Sequence, residues 1–563
     1  MKLFYNKKSN NPTYFIQQGI RNGKKTTTRN VFRIGKHNDL LKITDDPLAY
    51  AKQKVIEYNE EYQNNKVTLD VIIDFNKKLT SSNSTVPTPK HFNIGYFYLQ
   101  SIYHDLKLHN FFKDITKNYQ FKFDATLINR FLTFSRILDP SSKLGIYDHL
   151  NIYYEKPEYT YEASLHFLSL LVENFDEYIA HLFKESNNVH KRNTSVCYFD
   201  CTNYYFEIEN PDDDYVDAIT GEVMTGLRQY GMSKQHQPAP LVQMGLFMDG
   251  DGIPLNMCIS NGNQNEQLSA TPTKEKLLKM FENQQLIYCA DAGLGSYDIR
   301  KFNSFGNLSY IVTQSIKKLK GTLKEAVFND NDYRLLSTDE NITIKELQEF
   351  DRNDKKNLAL YNDKAYKVLT VNNLANVGLS ELVQINPSNV KQYVVIVYSR
   401  KLMEYQRFIR NIQKENTNNY LVDEEKYDGF YAIVTNLNAI KNVKEIIKVN
   451  SQRYEIEEYF KSTSLNHQSN DEIIAHYMTC YTALLVYRLL EAKLKDTNVH
   501  YTKDELIETL NAMNIANCHD LYYQATYTSG ELCDALNSIF KLDLNKEYYQ
   551  PKVLNKTLKS ILK

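Results

Sequence analysis

No stretch of the chain approaches the about 18 consecutive apolar residues that a membrane-crossing helix needs. The nearest, YTALLVYRLL (Tyr481 to Leu490), is short and carries Arg488. The opening residues, MKLFYNKKSNNP, hold no apolar run long enough for a secretory signal. Cysteine is scarce, seven in 563 residues, and no CxxC pair occurs. An odd count without paired spacing reads as free thiols in a reducing cytoplasm. Tryptophan is absent, and the aromatic content comes from 43 tyrosines and 27 phenylalanines. An excess of either charge is missing too, with 67 Lys and Arg against 68 Asp and Glu. That balance neither favours nor excludes a polyanionic partner, because only the distribution of charge decides the matter.

The distribution is uneven. Residues 1–42 hold ten Lys or Arg (from Lys2 to Lys42) against one acid, Asp39, a balance of +9. This is a candidate nucleic-acid footprint or a solvated basic hairpin. Within it, β-like runs flank a turn at Asn22-Gly23, which predicts a β-hairpin. A helix follows, with Pro47 near its start. TSSNSTVPTP (80–89) is a polar linker. Residues 91–190 have helical spacing, in IGYFYLQSIYHDL, TLINRFLTFSRIL and SLHFLSLLVENF, with a break at DPSSK (139–143). From about 193 the period becomes that of strands. VCYFDCTNYYFEIE and PLVQMGLFMDGDGIPLNMCIS contain a hairpin turn at residues 249–252, and alternating α and β segments follow to SYIVTQS. This is the pattern of an α/β layer domain. Residues 318–425 read as an inserted β-rich subdomain. Then a core-like strand, DGFYAIVTNL, precedes two amphipathic helices and a helical C-terminus. The expected divisions are 1–62, 63–192, 193–317, 318–425, 426–500 and 501–563.

Three acids stand out. Asp200 lies in an otherwise apolar strand, sharing a face with Tyr198 and Thr202, while Cys197, Phe199 and Cys201 take the other. A buried carboxylate is costly unless it binds a metal, pairs with a cation or bonds to backbone at a strand end. Asp291 ends the apolar strand LIYCADAG before a glycine-rich turn. It points into the crevice at a strand's carboxyl end, or caps a turn. In SQRYEIEEYFKSTSL, Arg453, Glu457 and Lys461 form one stripe at i, i+4, i+8, which is either functional or a solvated charge ladder. Together, two Asp on neighbouring strands and a Glu on a later helix can converge on divalent ions. Two Mg²⁺ ions on hard oxygen ligands suit phosphodiester chemistry, with Arg453 and Lys461 facing the phosphate.

At these residues the sequence resembles the DDE transposases of bacterial insertion sequences. The matching stretches are FDCTNYYFE, GLRQYGMSKQHQPAPLVQMGLFMDGDGIPL, NGNQNE, ADAGLGS, DGFYAIVTNL, RYEIEEYFKS and IIAHYMTCYTALLVYRLLE, in family order across roughly 195–495. The resemblance implies an RNase H-like catalytic core interrupted by a β-rich insertion, with an N-terminal β-hairpin and helical flanking domains. It implies a metal triad of Asp200, Asp291 and Glu457 holding two Mg²⁺ ions, with Mn²⁺ able to substitute, and an Arg at 453. The family pattern also places a Tyr three residues before that Arg and a Lys seven after the Glu; here these positions are Asn450 and Ser464. Lys461 lies on the right stripe to replace the Lys. The implied reaction is metal-dependent cleavage at element ends and strand transfer to target DNA. The implied partners are terminal inverted repeats and a second protomer on paired ends, with no membrane, in a bacterial cytoplasm and on the nucleoid when bound to DNA. Two alternatives stay open: a nuclease of the same fold without strand transfer, and an inactive DNA-binding derivative. Lys234 and His236 are candidates for the rim of the DNA cleft, or surface-loop residues. The run SIKKLKGTLK (315–324) is a DNA contact or a solvated helix. Glu266 reads as a cap, His476 as a core-edge histidine, and Cys197, Cys201 and Cys289 as small buried hydrophobes rather than zinc ligands.

Overall fold

A computed structural model describes residues 1–22, 25–65, 90–117, 121–216, 221–231, 239–264, 273, 275–277, 285–304, 306–319, 321–351, 353–371, 392–416, 422–452, 469–518 and 521–562. The chain forms two compact units, Met1–Thr88 and Pro89–Lys563.

In the first unit, β1 (Lys2–Phe4), β2 (Thr13–Asn22) and β3 (Lys25–Lys36) make an antiparallel sheet. The hairpin predicted at Asn22 is present, with Asn22 opposite Lys25. Asp46 caps the helix Pro47–Asn65 by accepting from the Leu48 and Ala49 N–H groups, both at 3.0 Å. Tyr14, Leu40 and Ala51 form its small core. Lys2, Lys7, Lys8, Arg29, Arg33, Lys36 and Lys42 are all exposed.

The second unit is mixed α/β. Its strands are β4 (His91–Asn93), β5 (Val196–Tyr205), β6 (Tyr215–Val216), β7 (Val223–Met224), β8 (Leu241–Met248), β9 (Pro254–Asn261), β10 (Leu286–Ala290), β11 (Leu308–Gln314), β12 (Arg334–Leu335), β13 (Ala365–Val371), β14 (Gln392–Tyr398), β15 (Phe430–Thr435), β16 (Asn514–Cys518), β17 (Tyr522–Ala525) and β18 (Tyr548–Tyr549). Among the described residues, nine of them form one mixed sheet in the order β12-β13-β14-β15-β11-β10-β5-β8-β9. β5, β8 and β9 are antiparallel neighbours, β10 runs parallel to both β5 and β11, and β15 returns antiparallel to β11. The residues 318–425 therefore contribute three strands to this sheet, beyond β15. The β8–β9 turn predicted at 249–252 is held by a buried ion pair, Arg192 Nε to Asp249 Oδ2 at 2.6 Å. Arg192 also donates to the Ile253 and Pro254 carbonyls, so the guanidinium is satisfied inside.

Side chains alternate across β5, and each face meets its own core. Val196, Tyr198 and Tyr204 join one core, while Cys197, Phe199 and Cys201 join the other. The first core is completed by helices Tyr96–Asp105, Ala125–Leu138, Tyr161–Glu173 and Phe175–Val189, packed around the helix Asn470–Leu494. That last helix was expected to be amphipathic. It is instead apolar and buried on almost every side, as a helix surrounded by others must be. Among the described residues it alone is long and apolar enough to cross a bilayer, and it lies inside the protein. The C-terminal region, expected to be helical, also contains β16, β17 and β18; β16 pairs with β4 from more than 400 residues earlier, β17 with β16, and β18 with β17. These strands are short and half-buried, so their local sequence carries little strand signal.

Candidate active site

The parallel pairing of β5 and β10 places Ile287 beside Val196 and Cys289 beside Tyr198, an offset of 91 positions. The ladder's last pair is Tyr198 with Cys289, so Asp200 and Asp291 each follow it by two residues, at the open end of strands about 4.8 Å apart. Asp200 shares the face of Tyr198 within β5, and Asp291 follows directly on the last residue of β10. β10 ends at Ala290 while β5 continues, so the two carboxylates sit where the parallel pair opens. This is the crevice position at the carboxyl end of a strand. The β10–β11 register, with Ala290 beside Val312, brings Thr313 next to Asp291 in turn.

Asp200 is 3% exposed. One of its oxygens, Oδ1, accepts from the Cys201 N–H at 2.9 Å. Asp291 is half-buried, and its Oδ1 accepts from the Gly293 and Leu294 N–H groups at 2.8 and 3.2 Å. The turn role considered for Asp291 is thus realised, and it fixes the carboxylate's direction. Gly295 in this turn has no room for a side chain, since a Cβ there would lie 2.0 Å from Val312 Cγ1.

The helix Ala439–Gln452 crosses the same face, burying Val443, Ile446, Ile447 and Asn450. Its last turn is tied down at two points beside the acids. Thr313 Oγ1 donates to Asn450 Oδ1 at 3.1 Å, and Tyr198 Oη donates to Gln452 Oε1 at 3.2 Å. Asn450 is therefore committed to the core and is 1% exposed. Glu457, Arg453, Lys461, Lys234, His236, Glu266 and Ser464 lie outside the described residues.

A groove of about 540 Å³ opens beside Asp291, lined by Ala292, Gln314, Lys317, Tyr405, Arg410 and Tyr427 among others. The ammonium groups of Lys317, Lys324 and Lys426 lie 5.9, 5.5 and 5.4 Å from the centroid of the Tyr427 ring. Lys317 also pairs with Glu424 at 2.7 Å, and Arg410 with the buried Asp428. Sequence reasoning noted the basic run 315–324 but not Tyr405, Arg410 or Tyr427. Those three come from the far side of the insertion, and no local pattern marks them.

The donor set suits a hard divalent cation, since two adjacent carboxylates offer oxygen ligands and nothing softer. Among the described residues no three His, Cys, Asp or Glu side chains converge. Cys197 and Cys201 face one core and Cys289 the other, so these three do not share a face. His476 is buried between Lys143 and Cys480, with Nδ1 3.1 Å from Lys143 Nζ and Nε2 3.4 Å from Cys480 Sγ. No family model matches the chain, and no curated protein matches it in sequence.

Proposed function

We propose that the chain is a DNA transposase of the DDE type, cleaving strands at element ends and transferring them to target DNA. The observation that carries this reading is the parallel β5–β10 ladder, whose last pair, Tyr198 with Cys289, leaves Asp200 and Asp291 each two residues further along its own chain. The strand arrangement agrees with it: three antiparallel strands, β9, β8 and β5, followed by parallel β10 and β11, is the order of an RNase H-like core. The excursion 318–425 between β11 and β15 stands where an insertion before a catalytic Glu belongs. Glu457 follows Gln452 by five residues, a length of chain that spans at most about 18 Å. The helix that ends at Gln452 is anchored at Tyr198, two residues from Asp200.

In this reading Asp200 and Asp291, with Glu457, hold divalent cations. When bound, these supply the Lewis acidity and charge neutralisation that phosphodiester cleavage needs. The chain's own contributions are positional. The Asx turn at Asp291 and the Cys201 N–H at Asp200 hold each carboxylate in one orientation. The last turn of Ala439–Gln452, which precedes Arg453, Glu457 and Lys461 in sequence, is fixed by Thr313 and Tyr198. Lys234 and His236 are assigned to the rim of the DNA path, and the basic hairpin of the first unit to end recognition, with phosphate contacts setting affinity.

The test is nicking and strand transfer in Mg²⁺ or Mn²⁺, on DNA carrying the sequences that flank the gene. Asp200→Asn and Asp291→Asn each lower product formation by at least ~10³-fold. Each also removes the rise in melting temperature that Mg²⁺ causes in the parent protein. Nicking without joining assigns the chain to the nucleases, and full activity in both variants refutes the site.

A further inference from the structure

The C-terminal helix Pro551–Ile561 is divided into two faces. Leu554, Leu558 and Ile561 are buried in the main core. The opposite face presents Lys552, Asn555, Lys556, Lys559 and Ser560, which line a hollow of about 480 Å³. All three lysines are exposed, and among the described residues none is in an ion pair. From Pro551 to the end the sequence PKVLNKTLKSILK holds four lysines and no acid.

A face that serves only solubility mixes its charges, as i,i+4 Glu and Lys pairs do. This one does not. Its placement also opposes helix stability. A cation belongs in the last turn, where Lys559 stands, but Lys552 occupies the first turn, against the macrodipole, and no acid offsets it there. Leu554, Leu558 and Ile561 are consumed by the core, and the exposed Val553 and Leu562 stand apart on the helix rather than forming a continuous apolar face to insert into a lipid surface. What remains is a row of cations on a rigid support, with Lys552 and Lys559 about 10 Å apart along the axis. That spacing reaches separate phosphates of a nucleic-acid backbone. Aromatic contacts lead from the helix to one further exposed cation, Lys156. Tyr154 Oη donates to Asn555 Oδ1 at 3.2 Å, its ring packs on Tyr523, and Tyr523 packs on Phe92, over which Lys156 Nζ sits at 4.5 Å.

We infer that the outer face of the C-terminal helix, with Lys156 at its edge, is a second DNA-binding surface that clamps the phosphate backbone of duplex DNA without regard to sequence. The choice of DNA over other polyanions rests on the transposase reading. The surface itself is independent of the acidic site and of the N-terminal hairpin.

The test uses the full-length chain and a fluorescent 30-base-pair duplex of arbitrary sequence, in EDTA, from 50 to 200 mM salt. Two triple variants are compared with the parent: Lys552→Glu/Lys556→Glu/Lys559→Glu and Lys552→Gln/Lys556→Gln/Lys559→Gln. Melting curves establish that each is folded, and the Gln variant serves if the Glu variant is not. Three lost phosphate contacts lower the slope of log affinity against log salt by about 2.7 and weaken binding at least ~10-fold at 100 mM. An unchanged slope in a folded variant overturns the inference. So does lysine-dependent binding to vesicles of phosphatidylserine with none to the duplex. Because the assay contains no divalent cation, its outcome is separate from nicking. Loss of the slope change refutes the clamp alone, and loss of nicking in Mg²⁺ refutes the acidic site alone.

Discussion

Lys143 is an ionisable side chain where the fold has little water to offer it. Its ammonium group lies 3.1 Å from His476 Nδ1, and the imidazole's other nitrogen faces Cys480 Sγ at 3.4 Å. A lysine that donates to Nδ1 fixes the imidazole proton on Nε2, pointing at the sulfur. Arg136 and Glu472 are the other charged groups that bear on it. Burial pushes the Lys143 pKa down to about 8, against a model-peptide value near ~10.4. Below pH 8 the group is protonated in both folded and unfolded chains, and the cost of burying the charge is constant. Above pH 8 the folded chain has released the proton that the unfolded chain still holds, so this group makes stability rise with pH. Buried thiols and tyrosines titrate the other way at higher pH, so the parent curve alone does not isolate the effect. The difference between parent and Lys143→Met does. That difference shifts by about 2 kcal/mol between pH 7 and 9.5, with Lys143→Met the more stable at pH 7. Urea unfolding at the two pH values reads it, and a pH-independent difference refutes the burial argument. The sequence showed DPSSK as a break between helices, which it is. It did not show that the lysine turns inward, because its partner is 333 residues away.

Among the elements, the helix Ala439–Gln452 does most to relate sheet to site. Its amphipathic pattern was legible, and so was the alternation in β5 that divides Asp200 from Cys201. The pairing of strands was less so. The run YVVIVY (393–398) is buried on both sides, so its pattern is continuous and names neither face nor neighbour. That is why residues 318–425 read as a separate subdomain, although β12, β13 and β14 extend the main sheet. Asn450 is the informative position in the helix. The family pattern calls for Tyr there, and restoring Tyr would be expected to help if the position faced DNA. Instead the Asn side chain is buried and accepts from Thr313. A tyrosine adds volume to a filled site, at about 1–3 kcal/mol, and forfeits a hydrogen bond of about 1 kcal/mol. Asn450→Tyr is therefore expected to lower the urea midpoint and to reduce nicking through misdirection of the segment after Gln452. A gain in activity at unchanged stability would show that the helix packs differently.

For the whole molecule, the near-zero net charge conceals a division of labour. Residues 1–42 carry +9 of a total of −1, which leaves −10 on the remaining 521 residues. A body of net negative charge repels a polyanion on average, so under the proposed function duplex DNA is expected to be held where cations are gathered. The N-terminal unit meets that condition. Tyr14 and Ile16 of β2 are buried, while Arg29 and Arg33 of β3 are exposed with Lys36 and the half-exposed Phe32. The buried side chains of the hairpin secure the fold, and its exposed cations are available to phosphate. Reversing two charges there changes the local balance from +9 to +5 without touching the core. Arg29→Glu/Arg33→Glu is thus expected to leave the melting temperature within about 2 °C, as exposed substitutions do. It is expected to weaken binding to end-containing duplex at least ~10-fold at 100 mM salt and to lower the log–log salt slope by about 2. Fluorescence anisotropy across a salt series measures both quantities. If the slope holds while affinity falls only on the end sequence, these arginines read bases rather than phosphates. If neither changes, the basic run at the N-terminus is a solvated hairpin, and end recognition must be sought in the second unit.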